Sequence, residues 1–192
     1  MRNAGFDLSV FSDYSREVQV EARKWAIKEA MYGIKEAFEE ESGFTLSSIS
    51  EGVYVISLST PLAIKYQYRW SPVIYIGLGN IVSRIESHFN NSLFDVMESL
   101  SGANFDFAFA CPHKPYHTDY YKHVEFCMLA YFNQKIGGLH KNRRFPILNK
   151  NAGSDRGINE DTEWWTTPLK ATGKKPLWAF EPTEHSDFAP LD

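Results

Sequence analysis

The chain predicts a mixed α+β fold. Three short segments rich in β-branched and aromatic residues, 52–59, 73–79 and 105–112, alternate with stretches of helical periodicity at 15–41, 81–89 and 118–136. A hydrophobic content of 43% and an aromatic content of 15% over 192 residues suffice for one sizeable core with terminal additions, and exclude a disordered chain. No apolar run approaches the length needed to span a bilayer. The opening "MRNAGFDLSVFSD" has neither a continuous apolar stretch nor a small-residue cleavage pattern, so export is not expected. Cys111 and Cys127 are too few for a disulfide framework, which makes a reducing cytoplasm the expected compartment.

Taken in order, residues 15–41 read as one long helix. Ile27, Met31, Ile34 and Phe38 recur on a single stripe, and Gly43 follows as a stop. "GVYVISLS" is the first strand. Pro61 and Pro72 punctuate the next stretch, with room for a short strand between them. "VIYIGLG" is apolar on both faces and is therefore expected to be covered on both. Asn80 is a natural N-cap for a helix whose Ile81, Val82, Ile85 and Phe89 face inward. "SLFDVMESL" predicts a further short helix, and "FDFAFACP" an alternating strand. Thr118 opens the last helix, which Gly137 and Gly138 end. From 151 onward, Pro168, Pro176, Pro182 and three of the five tryptophans predict an irregular arm whose aromatics return to the body.

Charge is unevenly distributed. Residues 1–51 carry ten acids and six bases, and 155–192 carry eight and four. The totals of 24 and 20 leave six acids and ten bases in 52–154. No acid occurs from Phe126 to Ser154, where Lys135, Lys141, Arg143, Arg144 and Lys150 fall. Such a run is often a solvated loop. A basic centre within an acidic chain is also the footprint of a phosphate-binding surface, and these five residues are the candidate nucleic-acid contacts.

Two features carry chemistry. In the helix after Thr118, Tyr121, Val124, Met128, Leu129, Phe132 and Ile136 form the apolar stripe at 100° per residue, and Glu125 falls within it. A carboxylate there requires a partner: one Arg or Lys in an internal ion pair, or a metal ion beside a substrate phosphate. Arg84 and His88, four residues apart, project from one side of their helix directly after a glycine corner, where they can grip a phosphate and assist proton transfer. Cys111, His113, His117, His123 and Cys127 raise zinc, but their spacing matches no strong zinc pattern. No Walker loop, dinucleotide fingerprint or nucleophile elbow occurs.

In this order the pieces resemble the GIY-YIG nuclease superfamily. Gly52-Val53-Tyr54 stands for the first motif, with Val for Ile, and Tyr75-Ile76-Gly77 for the second. Arg84 and His88 match the helix that bears Arg and, in several members, His. Glu125 matches the metal-binding Glu, and Asn149 in "FPILN" matches the Asn that ends the core. The segment between the two motifs is longer than in most members, although some restriction-enzyme members carry insertions there. Its Lys65, Tyr66, Tyr68, Arg69 and Trp70 either contact DNA or pack.

The resemblance implies a small central three-stranded, mainly antiparallel sheet flanked by helices, spanning 50–151. The N-terminal helical extension would then be 1–49 and the C-terminal arm 152–192. It implies a metal-dependent endonuclease acting on nucleic acid, with double-stranded DNA the expected partner and a homodimer on the substrate compatible with it. One Mg²⁺ or Mn²⁺ would sit on Glu125. Tyr54 would be the general base, Tyr75 would orient water or phosphate, Arg84 would neutralise phosphate charge, His88 would support proton transfer and Asn149 would brace the site. A phenol with a reference pKa near 10 is a poor base at neutral pH, so cationic neighbours must lower it. The alternative is a catalytically inactive nucleic-acid-binding module on the same fold. A scaffold whose Arg84 and Glu125 merely form an ion pair is a third reading.

Overall fold

The computed structural model describes residues 15–60, 62–99, 104–137, 146–159, 162–169 and 178–180. The fold is mixed α+β, and its described chain divides into two compact units. One is drawn from the chain up to Glu51 together with Gly79–Asn104, the other from Gly52–Leu78 together with the chain from Phe105.

The first unit is helical. Helix α1 (Arg16–Ser42) starts where the Ser15 hydroxyl accepts from the Val18 N–H. It stops at Gly43, whose φ of 72° lets its N–H reach Glu39 O at 2.9 Å. Ile27 and Met31 of the predicted stripe are buried, while Ile34 and Phe38 are half-buried. A 3-10 turn, Leu46–Ser48, follows. Helix α2 (Ile81–His88) is capped by the Asn80 side chain, which accepts from the Ser83 N–H at 3.0 Å. Ile81, Ile85 and Phe89 are buried and Val82 is half-buried. A π turn over Phe89–Leu93 then runs into α3 (Phe94–Ser99), so the two predicted helices are one continuous helical run. Arg23 of α1 ties onto α3 through Asp95 at 3.1 Å and the Phe94 ring at 5.0 Å.

The second unit is built on strands β1 (Gly52–Leu58), β4 (Val73–Gly79) and β5 (Phe105–Ala110), an antiparallel sheet in the order β4-β1-β5. The expected three-stranded sheet is present. β1 lies at its centre, flanked by β4 and β5, and is buried along nearly its whole length. β5 pairs with it from Val53↔Ala110 to Leu58↔Phe105. Helix α4 (Tyr120–Phe132) packs against β1 and continues as a π turn, Asn133–Gly137. Thr118 does not cap α4. The flanking residue is Asp119, which makes no side-chain cap bond, and its carboxylate lies 2.7 Å from Lys122 Nζ.

The stretch between the two tyrosine motifs forms a small hairpin, β2 (Leu62–Lys65) and β3 (Trp70–Ser71). Tyr66 packs inward: its hydroxyl donates to Val73 O at 2.6 Å, and its ring meets Phe132 edge-on at 5.0 Å. Burial pushes that hydroxyl's pKa up, partly offset by the hydrogen bond from the Ile147 N–H. Lys65 lies over the Trp70 ring, whereas Tyr68 and Arg69 are exposed. A short strand in the arm, β6 (Trp178–Phe180), adds to β2 in parallel. The 3-10 helix Trp164–Leu169 buries Trp165 and Leu169, with Trp165 edge-on to Tyr131 at 5.9 Å.

A tight turn joins β5 to α4. The His117 N–H donates to Lys114 O at 3.1 Å across Pro115 and Tyr116, and Tyr116 has φ 66°. Pro at the first central position and positive φ at the second define a type II turn, whose second position ordinarily takes Gly or Asn. A side chain there costs of order 1–3 kcal/mol. Among the described residues, no helix is long and apolar enough to cross a membrane.

Candidate active site

Antiparallel pairing sets the two tyrosine motifs side by side. Tyr54 of β1 and Tyr75 of β4 stack with ring centroids 5.8 Å apart and planes 27° from parallel. Gly77 makes this arrangement possible. A Cβ at that position would collide with the Tyr75 ring and come within 2.8 Å of the Tyr54 hydroxyl. The glycine of the second motif is thus a steric requirement of the first motif's tyrosine. Tyr54 is only 1% exposed, and the hydroxyl end of its ring packs close against Gly77.

β4 is an edge strand, and the segment after Pro146 closes it. The Leu148 N–H donates to Ile74 O at 3.0 Å. The Asn149 carboxamide then clasps Ile76 twice: Oδ1 accepts from its N–H at 3.0 Å, and Nδ2 donates to its carbonyl at 2.7 Å. Asn149 acts as one residue of an added strand, satisfying two backbone groups that an edge would otherwise leave open. Only a carboxamide presents an acceptor and a donor side by side in this way. Replacing Asn149 with Ala strands both groups of Ile76, which is fully buried. The expected loss is about 1–3 kcal/mol for each buried group left unsatisfied. Asn149→Asp is no better, since it sets a carboxylate oxygen against the Ile76 carbonyl. A urea midpoint equal to wild type in either variant contradicts this role.

Glu125 sits on α4. At 100° per residue it projects between Met128 and Leu129, each 2% exposed, yet it is itself only half-buried. The cover over the helix is therefore open at its level. Gly153, with φ 73°, passes there: a Cβ on it would stand 3.4 Å from Glu125 Oε2 and 3.3 Å from Phe126 Cα. Gly153 thus passes close against both the carboxylate and the helix backbone. This donor set suits one Mg²⁺ or Mn²⁺, which takes one or two carboxylates and fills its other positions with water and phosphate oxygens. Among the described residues, no group of three or more His, Cys, Asp and Glu is placed to hold a metal. The zinc-like residues divide accordingly. His123 is buried, with Nε2 3.4 Å from Cys127 Sγ and Nδ1 3.7 Å from Asp155, while Cys111, His113 and His117 are exposed.

Arg84 and His88 belong to the helical unit. Gly79, with φ 116°, turns the chain into α2 and leaves space for the stem of Arg84, whose Cγ would lie 3.7 Å from a Cβ at that position. Arg84 is exposed and His88 half-buried. Desolvation, reinforced by the Arg84 charge one turn away, pushes His88 down to about 4. His88 is therefore a neutral imidazole at neutral pH, able to accept a proton but adding no positive charge of its own. An unfolded His88 takes up its proton near 6.5, the folded one only near 4. Across that window the unfolded state binds more protons, so stability falls as pH drops from 6.5 toward 4. His88→Asn should flatten this acid limb in melting temperatures taken across the window. An unchanged limb would assign it to other groups.

Lys135 and Lys150 are exposed. Lys141, Arg143 and Arg144 lie outside the described residues. Gly77 was marked in the sequence only as the end of the second motif and Gly153 not at all, since nothing local distinguishes a glycine required by a distant tyrosine or carboxylate from a loop glycine. No protein-family model, curated protein or solved structure matches the chain.

Proposed function

We propose that this protein is a metal-dependent endonuclease of the GIY-YIG type that hydrolyses phosphodiester bonds in DNA. The observation that carries the reading is the Tyr54–Tyr75 pair, stacked across neighbouring strands around a glycine that admits no side chain. A Cβ at position 77 would overlap both rings, so the two phenols are held together against bare backbone.

The roles follow from the side chains. Tyr54 accepts the proton of the attacking water, and Tyr75 orients that water or the phosphate. Arg84, exposed and permanently charged, supplies charge-assisted hydrogen bonds to phosphoryl oxygens, where negative charge grows during attack. His88, neutral at working pH, is available to take or relay a proton. Glu125 would hold the ion, and Asn149 fixes the backbone of the Tyr75-Ile76-Gly77 strand. When bound, the ion contributes Lewis-acid stabilisation of the phosphoryl oxygens and of the leaving 3′ oxygen. Lys135, Lys141, Arg143, Arg144 and Lys150 contact phosphates and position the substrate without reading its sequence. Both cysteines are free thiols, which suits a reducing cytoplasm.

The test is cleavage of supercoiled plasmid DNA by the full chain with Mg²⁺ or Mn²⁺ and with a chelator. Metal-dependent nicking or linearisation is expected. Salt-sensitive DNA binding without cleavage in either metal would instead favour the inactive binding module. Absence of both would favour the scaffold.

A further inference from the structure

We propose that Tyr116 is a stacking platform for an unpaired base of the nucleic acid that this protein engages. The inference rests on the nucleic-acid reading above and narrows it from a plain duplex to a substrate with an exposed base.

The turn from Lys114 to His117 puts a bulky side chain where its backbone asks for glycine. Tyr116 has φ 66° and is 103% exposed, so it burdens the turn and buries nothing in return. Outliers of this kind cluster at ligand clamps and other functional sites, where the strain is part of the mechanism.

The mount is rigid. Pro115 fixes the first central φ of the turn. The Lys114 ammonium donates to Asn159 O at 2.6 Å and lies 5.6 Å from the centre of the Tyr120 ring. Tyr120 is itself buried at the start of α4. The platform is thereby tied to the helix that carries Glu125, and little conformational freedom remains to be lost when a ligand binds.

The chemistry around the ring selects the ligand. No acid occurs between Asp106 and Asp119, and exposed His113 and His117 flank the turn. Tyr116 is the one exposed large apolar side chain among the described residues 104–137. A lone ring with polar neighbours is far too small for a stable protein interface, which needs roughly 1,200–2,000 Å². One ring is enough to stack on one base. Inside a duplex both faces of a base are already covered, so the ring needs a base outside the paired stack, in a single strand, a bulge or a flipped position.

Binding is measured by fluorescence anisotropy in a chelator, with the full chain and three labelled DNAs: a single strand, its blunt duplex and that duplex with one unpaired nucleotide. Tyr116→Gly should weaken the single strand and the unpaired duplex about 5- to 150-fold, the range of aromatic–base stacking, and change the blunt duplex by less than about twofold. Its melting temperature should hold or rise by up to about 4 °C, because glycine suits the turn. Tyr116→Trp should keep wild-type selectivity. The platform is overturned if Tyr116→Gly binds all three DNAs as wild type does, loses all three equally or melts markedly lower, or if wild type binds neither DNA with an exposed base. A ring that serves a protein partner instead gives the first of these results. Plasmid cleavage separates this proposal from the nuclease reading: an inactive wild type with Tyr116-dependent binding sinks only the nuclease, whereas an active one with Tyr116-independent binding sinks only the platform.

Discussion

Glu125→Ala is expected to abolish cleavage while leaving the fold in place. The carboxylate is the one acidic side chain on the buried arc of α4, and it is half-buried with Gly153 close beside it. Because Glu125 is half-buried, truncation leaves no sealed cavity, and the expected stability change is under about 1 kcal/mol. Glu125→Gln keeps the shape, removes the charge and should be equally inactive. A readout independent of turnover exists. A divalent ion that binds only the folded state raises the melting temperature with its concentration, so Mg²⁺ or Mn²⁺ should stabilise wild type and not either variant. If Glu125→Ala instead loses about 3–5 kcal/mol, the carboxylate is half of a structural ion pair, and the metal assignment falls.

What could be seen in advance divides along a physical line. Elements specified by their own residues were legible. Ser15 and Gly43 bound α1, and Asn80 caps α2, because a cap is a contact within one turn of chain. β1, β4 and β5 announce themselves by β-branched and aromatic runs, which need only a sheet to join. Elements specified by partners far away in sequence were not. The parallel pairing of β6 with β2 depends on residues more than a hundred positions apart, and the arm reads locally as irregular. The π turn at Phe89–Leu93 joins two segments whose apolar spacing suggests separate helices. Thr118 looked like the better cap, but the cap preference of its neighbour Asp119 is diverted to Lys122.

The candidate site shows the same division. Helical periodicity is enough to find Glu125 on an apolar stripe, but the close approach of Gly153 to its carboxylate is a contact the stripe says nothing about. The clasp of Asn149 on Ile76 spans 73 residues and was approachable only through the resemblance. The low proton affinity of His88 needs burial as well as the Arg84 spacing, and burial is a tertiary quantity.

Tyr54→Phe should lower turnover by roughly 10²–10⁴-fold, the usual contribution of a general base, while substrate affinity in chelator barely moves. The change removes one oxygen and keeps a ring that is 1% exposed and stacked on Tyr75 at 5.8 Å, so β1 should pack as before. Burial disfavours a phenolate, and a cation close to the hydroxyl has to outweigh that penalty for Tyr54 to act as a base near neutral pH. Two consequences follow. The wild-type rate should climb with pH as the phenol gives up its proton, and Tyr54→Phe should lose that slope. Tyr75→Phe should be milder, since an orienting hydroxyl contributes geometry and no proton transfer. Gly77→Ala should also lose activity although it keeps both phenols, because its methyl group would overlap the Tyr75 ring and the Tyr54 hydroxyl and displace them. If Tyr54→Phe cuts at near the wild-type rate and keeps the pH slope, the base lies elsewhere, with His88 the next residue to test. Loss of activity in Gly77→Ala would then report only displaced packing of the two rings.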